Sequence, residues 1–280
     1  MKRNFLILFS SFFLFTLPAQ ALIETADTFE DGELLANPAW QGNLTNFVVT
    51  GVGALHDTQS LRVNTFNILS TLTFPFGTDT NLGSTLTEWS FLYRDTEGNP
   101  SSPGINGWRL WLVADSTNLA GANGYAIRHG NTGAPDNLVF VRMANGNEVV
   151  PGLLTNTIDP STTLHSIRVT RSYEGLWELF ITPDITGLAT NSFGTVQDTT
   201  FFSGLDELNT NLFLALQART TTGGNNPLRF IFDDVRFGFP SYAYLTTTTN
   251  ISEDIGTYQL TVQRPTSAGT LTVTNIIVQG

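Results

Sequence analysis

Short apolar runs separated by polar turns recur along most of the chain, and no stretch carries a helical period. The runs fall at residues 47–50, 60–63, 68–74, 89–93, 108–114, 124–128, 138–143, 166–172, 176–182, 212–218 and 228–237. Between them lie turn-forming clusters such as Asn99-Pro100-Ser101-Ser102-Pro103-Gly104, Gly130-Asn131-Thr132-Gly133 and Thr222-Gly223-Gly224-Asn225-Asn226-Pro227. Many short strands at this spacing predict two antiparallel sheets packed face to face. Only residues 203–209 suggest a single helical turn.

Alternation supports strands within the runs. Trp89, Phe91 and Tyr93 share one face, and Arg109, Trp111 and Val113 share one face of a later run. Leu110 and Leu112 fill the other face there, which predicts a strand buried on both sides. Ile167, Val169 and Arg171, the turn Tyr173-Glu174-Gly175, then Trp177, Leu179 and Ile181 predict a β-hairpin.

The chain opens on an export signature. Lys2 and Arg3 precede an apolar stretch from Phe5 to Leu17, and Ala19 and Ala21 occupy small-residue cleavage positions. The apolar stretch is shorter than the roughly 20 residues that span a bilayer. Residues 1–21 are therefore expected to be a signal peptide, leaving a protein secreted or at the cell surface with no transmembrane segment. Cleavage removes the chain's one lysine and leaves arginine as its only strongly basic residue.

Charge and cysteine usage exclude several chemistries. A net charge of −11 gives no basic surface to displace counterions from nucleic acid. With no cysteine, disulfides, thiolate metal sites and cysteine nucleophiles are excluded. His56, His129 and His165 are scattered without zinc-site spacing.

A composition change near Phe239-Pro240-Ser241 divides the mature chain into a module at 22–240 and a Thr-rich tail at 241–280. About forty residues are too few for an independent sandwich, so the tail is expected to be a partial Ig-like β module.

Asp27-Thr28-Phe29-Glu30-Asp31-Gly32 near the start, Trp40-Gln41-Gly42-Asn43 soon after, and Phe232-Asp233-Asp234-Val235 at the end frame the larger module. With Glu88-Trp89-Ser90-Phe91, Arg109-Leu110-Trp111-Leu112 and Gly124-Tyr125-Ala126-Ile127, this frame resembles the concanavalin A-like/laminin G-like jelly-roll domains of secreted bacterial surface proteins. The paired ends also resemble MAM-type jelly rolls, whose conserved disulfides this chain lacks. Ile251-Ser252-Glu253-Asp254 through Arg264 resembles the opening of a Calx-beta motif. The resemblance implies an all-β, two-sheet antiparallel sandwich, often with a structural Ca²⁺.

Glu30, Asp31, Asp233 and Asp234 are the candidate ligands for that cation. In a closed jelly roll the first and last strands lie side by side, and gathered carboxylates need a hard cation to offset their repulsion. The alternative is acids at turns and strand edges facing water.

Catalysis finds little support. Glycoside hydrolysis needs a carboxylate pair, whereas Glu88 and Glu178 each stand alone on their strands. Glycan binding is the sharper reading: Trp40, Trp108, Asn106 and Tyr125 lie beside turns and are candidate ligand contacts, and 96–107 is the candidate rim loop. The alternative for these aromatics is burial in the core. The expected function is thus a non-catalytic extracellular module that binds cell-surface or matrix polysaccharide or mediates adhesion, joined to other domains of a longer surface protein. The alternatives are a spacer without ligand, and a polysaccharide-active hydrolase.

Overall fold

The computed structural model describes residues 23–36, 38–76, 86–97, 100, 105–130, 136–149, 151–155, 163–172, 174–184, 189–198, 212–221, 227–239, 244–245 and 262–263. The expected leader, Tyr173, half of the 96–107 loop, the helical turn at 203–209 and nearly all of the tail lie outside these residues.

The chain separates into two units, one of which is Leu22–Pro240. That unit is a two-sheet antiparallel β-sandwich of the jelly-roll, concanavalin A-like type. Sheet A runs β14 (Ser192–Gln197), β13 (Leu176–Thr182), β12 (His165–Arg171), β6 (Thr87–Asp95), β16 (Phe230–Phe239), β4 (Ser60–Val63), β3 (Phe47–Thr50), with β1 (Ile23–Asp27) also paired to β16. Sheet B runs β10 (Asn147–Glu148), β9 (Leu138–Ala144), β8 (Gly124–His129), β7 (Gly107–Ala114), β15 (Phe213–Arg219), β5 (Ser70–Pro75), β2 (Gln41–Gly42), with β11 (Leu154–Thr155) also on β9. In the second unit, β17 (Tyr244–Leu245) and β18 (Val262–Gln263) pair antiparallel. No helix among the described residues is long and apolar enough to cross a membrane.

Period-two alternation places the core. Trp89, Phe91 and Tyr93 point between the sheets and are buried, as are Trp177, Leu179 and Ile181 of the predicted hairpin. The rings interlock: Trp89 stacks on Trp177 at 5.5 Å, and Trp108 meets Phe91 edge-on at 5.9 Å. Such contacts add to the area term because the ring quadrupoles prefer offset and edge geometries.

β7 departs from the expected alternation. Its register against β8 shifts between Trp111 and Val113. The bulge sends Val113 inward with Leu112 and leaves Arg109 and Trp111 on the outer face of sheet B. There Trp111 joins a second apolar cluster with Leu119, Ala126, Val141, Met143 and Ala215. The strand is buried on both sides as predicted, by sheet A within and by this cluster without.

β16 holds the module together. One of its edges pairs with β6. The other pairs first with β4 at Ile231 and Phe232, then with β1 from Val235 to Phe239. At this change of partner the backbone bulges, and Asp234 adopts a left-handed φ of 47°. Asp27 ends β1 directly opposite Val235. The first and last strands therefore do lie side by side, as the expected convergence of acids required.

Candidate functional site

Two polar regions stand out on this scaffold. The first contains the acids read from the sequence. Glu30, Asp233 and Asp234 converge on one segment, the 51–59 loop between β3 and β4. Glu30 accepts hydrogen bonds from the Thr58 amide (3.0 Å), the Gln59 amide (2.8 Å) and the Thr58 hydroxyl (2.5 Å). The Thr58 hydroxyl and the two amides hold its carboxyl below the usual carboxylate range. Asp233 accepts from the His56 amide (3.1 Å), the Ser60 hydroxyl (2.7 Å) and the Asp234 amide (2.9 Å). Asp234 Oδ2 lies 3.0 Å from His56 Nδ1. Under the loop, Leu55 packs on Leu92 and Ile231. Asp31 faces solvent and caps the Glu33 amide at 3.2 Å.

The four acids as a set do not form a cation cage. Glu30 and Asp233 are surrounded by amide and hydroxyl donors, and Asp31 points away. Among the described residues no three acidic or histidine side chains gather as metal ligands do. Asp234 Oδ1 is buried and accepts no hydrogen bond, but the Arg236 guanidinium lies 3.5 Å away and already faces it with positive charge.

An acid the sequence did not single out lies close by. Asp27 is buried, accepting from the Phe29 amide (2.7 Å) and from Trp40 Nε1 (2.6 Å). Burial pushes its carboxyl up to about 6, against the pull of the Trp40 and Phe29 donors. Burial likewise raises Asp233 to about 6, against Ser60 and the His56 and Asp234 amides. Desolvation disfavours the charged form, and here it outweighs the donors.

The aromatic candidates are placed differently from the expectation. Trp108 and Tyr125 are both 0% exposed, packed against Tyr93 and Trp177 in the inter-sheet core, so neither offers a face to a sugar. Trp40 is 3% exposed and its indole N–H is committed to Asp27. Asn106 is half-buried just before β7. These three rings are structural because alternation tells which residues share a face, not which face meets the opposite sheet.

The second region is the outer face of sheet B. Strand register lines up Thr71, Gln217, Arg109 and Arg128 across β5, β15, β7 and β8. Four positions at the strand spacing extend about 14 Å. The neighbouring row is Thr73, Ala215, Trp111, Ala126 and Val141. Small Ala215 and Ala126 flank the Trp111 indole. Trp111 Nε1 donates to Gln217 Oε1 at 2.9 Å, which turns the Gln217 amino group away from the indole. Glu148, on β10, spans both guanidinia: Oε1 lies 2.5 Å from Arg109 and Oε2 lies 2.8 Å from Arg128 Nε. All five polar residues of this arrangement are half-buried. Apart from the Arg109–Trp111 face, nothing in the sequence announced it, since its members come from five separate strands.

No family model matches the sequence, and no curated protein matches it. Solved structures do resemble the fold. A protein of unknown function from Shewanella oneidensis MR-1 is 12% identical, with a TM-score of 0.52 over 81% of this chain and 90% of that one. A carbohydrate esterase of Shiga toxin-encoding bacteriophage phi24B is 10% identical, with a TM-score of 0.50 over 79% of this chain and 100% of that one. The VIP36 exoplasmic/lumenal domain, in its Ca²⁺/Man3GlcNAc-bound form, is 12% identical, with a TM-score of 0.48 over 87% of this chain and 99% of that one. At such identities the likeness is one of fold, and the fold is the concanavalin A-like β-sandwich.

Proposed function

We propose that this protein is a non-catalytic carbohydrate-binding module of an exported protein, with the polar row on sheet B as its binding face. One observation carries the reading: the planar hydrogen-bonding groups of Gln217, Arg109 and Arg128 stand in register on strands rather than loops, with Glu148 laid across the two guanidinia and the buried Trp111 indole fixing Gln217. Specificity in a binding site comes from a small number of precisely placed polar groups, and strand-borne groups hold their geometry best. This fold hosts many functions, so the argument rests on the site. The row contains one carboxylate, shared between two guanidinia, whereas glycoside hydrolysis needs two.

The remaining parts of the proposal come from the sequence. Residues 1–21 act as an export signal and 22–240 as the module. Residues 241–280, with their Calx-beta-like pattern, connect it to further domains, so that the module is secreted or displayed at the cell surface and adheres to polysaccharide there. Recovery of an exported protein beginning at Leu22 tests the leader. A glycan array probed with the exported chain and with Gln217→Leu tests the site. Binding that survives Gln217→Leu unchanged overturns the assignment.

Calcium is a second reading, carried by Asp234. Its buried Oδ1 accepts no hydrogen bond, and a hard cation there would take the place of the partly exposed Arg236 guanidinium 3.5 Å away.

A further inference from the structure

We infer that the polar row on sheet B is selective for acidic saccharides, and that Arg109 and Arg128 receive a uronic acid carboxylate. The inference rests on the carbohydrate reading above and names the substrate class of that same face.

Arg109 and Arg128 are directly opposite one another on neighbouring antiparallel strands. Like charges in this relation repel. The pair persists in a chain of net charge −11 with a single carboxylate, Glu148, laid across it. Two guanidinia and one carboxylate leave one positive charge. Arg128 is held in place by a further bond to the Gly130 carbonyl at 2.8 Å, and both guanidinia keep part of their surface exposed. A guanidinium offers five donors in a planar fork, matched to planar two-oxygen acceptors.

Glu148 occupies the place that a ligand carboxylate would take. It sits on β10, a two-residue strand at the edge of sheet B, paired with β9 at Met143. The Asn145-Gly146 turn before it has left-handed φ at both residues, 49° and 75°, the geometry of a tight hairpin. The turn is pinned by the Gly146 amide on the Ala122 carbonyl (2.7 Å) and the Asn145 amide on Asn123 Oδ1 (3.0 Å), so Glu148 yields its place by rotation of its side chain and the hairpin stays closed. A uronate offers the guanidinia the same planar group that Glu148 offers. A neutral hydroxyl does not compete with a carboxylate for them, because charge-assisted bonds are roughly twice as strong. Alongside, the Gln217 amino group, turned outward by Trp111, and the Thr71 hydroxyl suit the sugar's own hydroxyls.

The test is affinity electrophoresis of the exported chain in gels containing polygalacturonate or its fully methyl-esterified form. Polygalacturonate is expected to retard the protein and the neutral ester is not. Arg128→Gln should weaken retardation about tenfold, the loss of one charge-assisted hydrogen bond. Glu148→Gln removes the competing carboxylate and should strengthen it several-fold, a gain that misfolding does not produce. Equal retention in both gels overturns acid selectivity and leaves the carbohydrate reading standing. Weaker binding in Glu148→Gln overturns the placeholder role and the inference with it. No retention in either gel, together with a blank glycan array, overturns both.

Discussion

The Trp40 indole N–H donates to Asp27 Oδ2 at 2.6 Å, joining the residue before the edge strand of sheet B to the end of the first strand of sheet A. The bond explains why Trp40 is buried: it is the polar partner of a carboxyl with little water around it. Trp40→Phe keeps the ring volume and deletes the donor. It should destabilise the module by about 1–3 kcal/mol, the cost of stranding a buried acceptor. Equilibrium denaturation of the two proteins measures this, and an unchanged midpoint would show that the bond contributes nothing.

Acidity should stabilise the module before it destabilises it. Asp27 and Asp233 are each raised from 3.8 to about 6, so the folded state binds protons that the unfolded state has released. Their cost is absent below about pH 4, accrues as pH rises to about 6, and is constant above; for each it is about 2–3 kcal/mol. Glu30 is shifted the other way, so its contribution is lost as pH falls through the acidic range. The thermal midpoint should therefore rise from pH 7 to about pH 5 and fall again below about pH 4. Asp27→Asn should shrink the rise, and a flat profile between pH 7 and 5 would contradict the burial argument.

Glu30→Ala should loosen the 51–59 loop without unfolding the sheets. Amide exchange at Thr58 and Gln59 should accelerate, because Glu30 accepts from both N–H groups. Exchange in β6 and β12 should stay slow. Equal acceleration in those central strands would mean that the acid stabilises the whole fold.

If a cation sits at Asp234, excess Ca²⁺ should raise the thermal midpoint, a chelator should reverse the rise, and Asp234→Asn should abolish it. No response of the native sequence to Ca²⁺ removes calcium from the description of this end of the molecule.

Much of the architecture was legible in the sequence, because strand patterns are local. Trp89, Phe91 and Tyr93 alternate inward, and the hairpin pairs Val169 with Leu179 across its turn. The meeting of first and last strands was legible too, from acids at both ends. What was not legible depends on register and on orientation. Nothing local says that Thr58, Gln59, His56 and Ser60 supply the donors to Glu30 and Asp233. Nor does the run from Trp108 to Ala114 reveal its bulge: plain alternation groups Val113 with Arg109 and Trp111, whereas it packs inward. The polar row was hidden for the same reason: Gln217 and Arg109 are neighbours only once β15 has found β7.

β16 gives the chain an order of assembly. Among the described residues of sheet A, the ribbon β3–β4 and the ribbon β6–β12–β13–β14 pair only through β16, and β1 has no other strand partner there. A chain emerging N-terminus first thus carries two open-edged ribbons and an unpaired first strand until residues 230–239 appear. Closure of the sandwich becomes a late event that joins the two ends of the module, and such long-range pairing is slow. Until then the unsatisfied edges on either side of the gap are the surfaces most exposed to pairing with another chain.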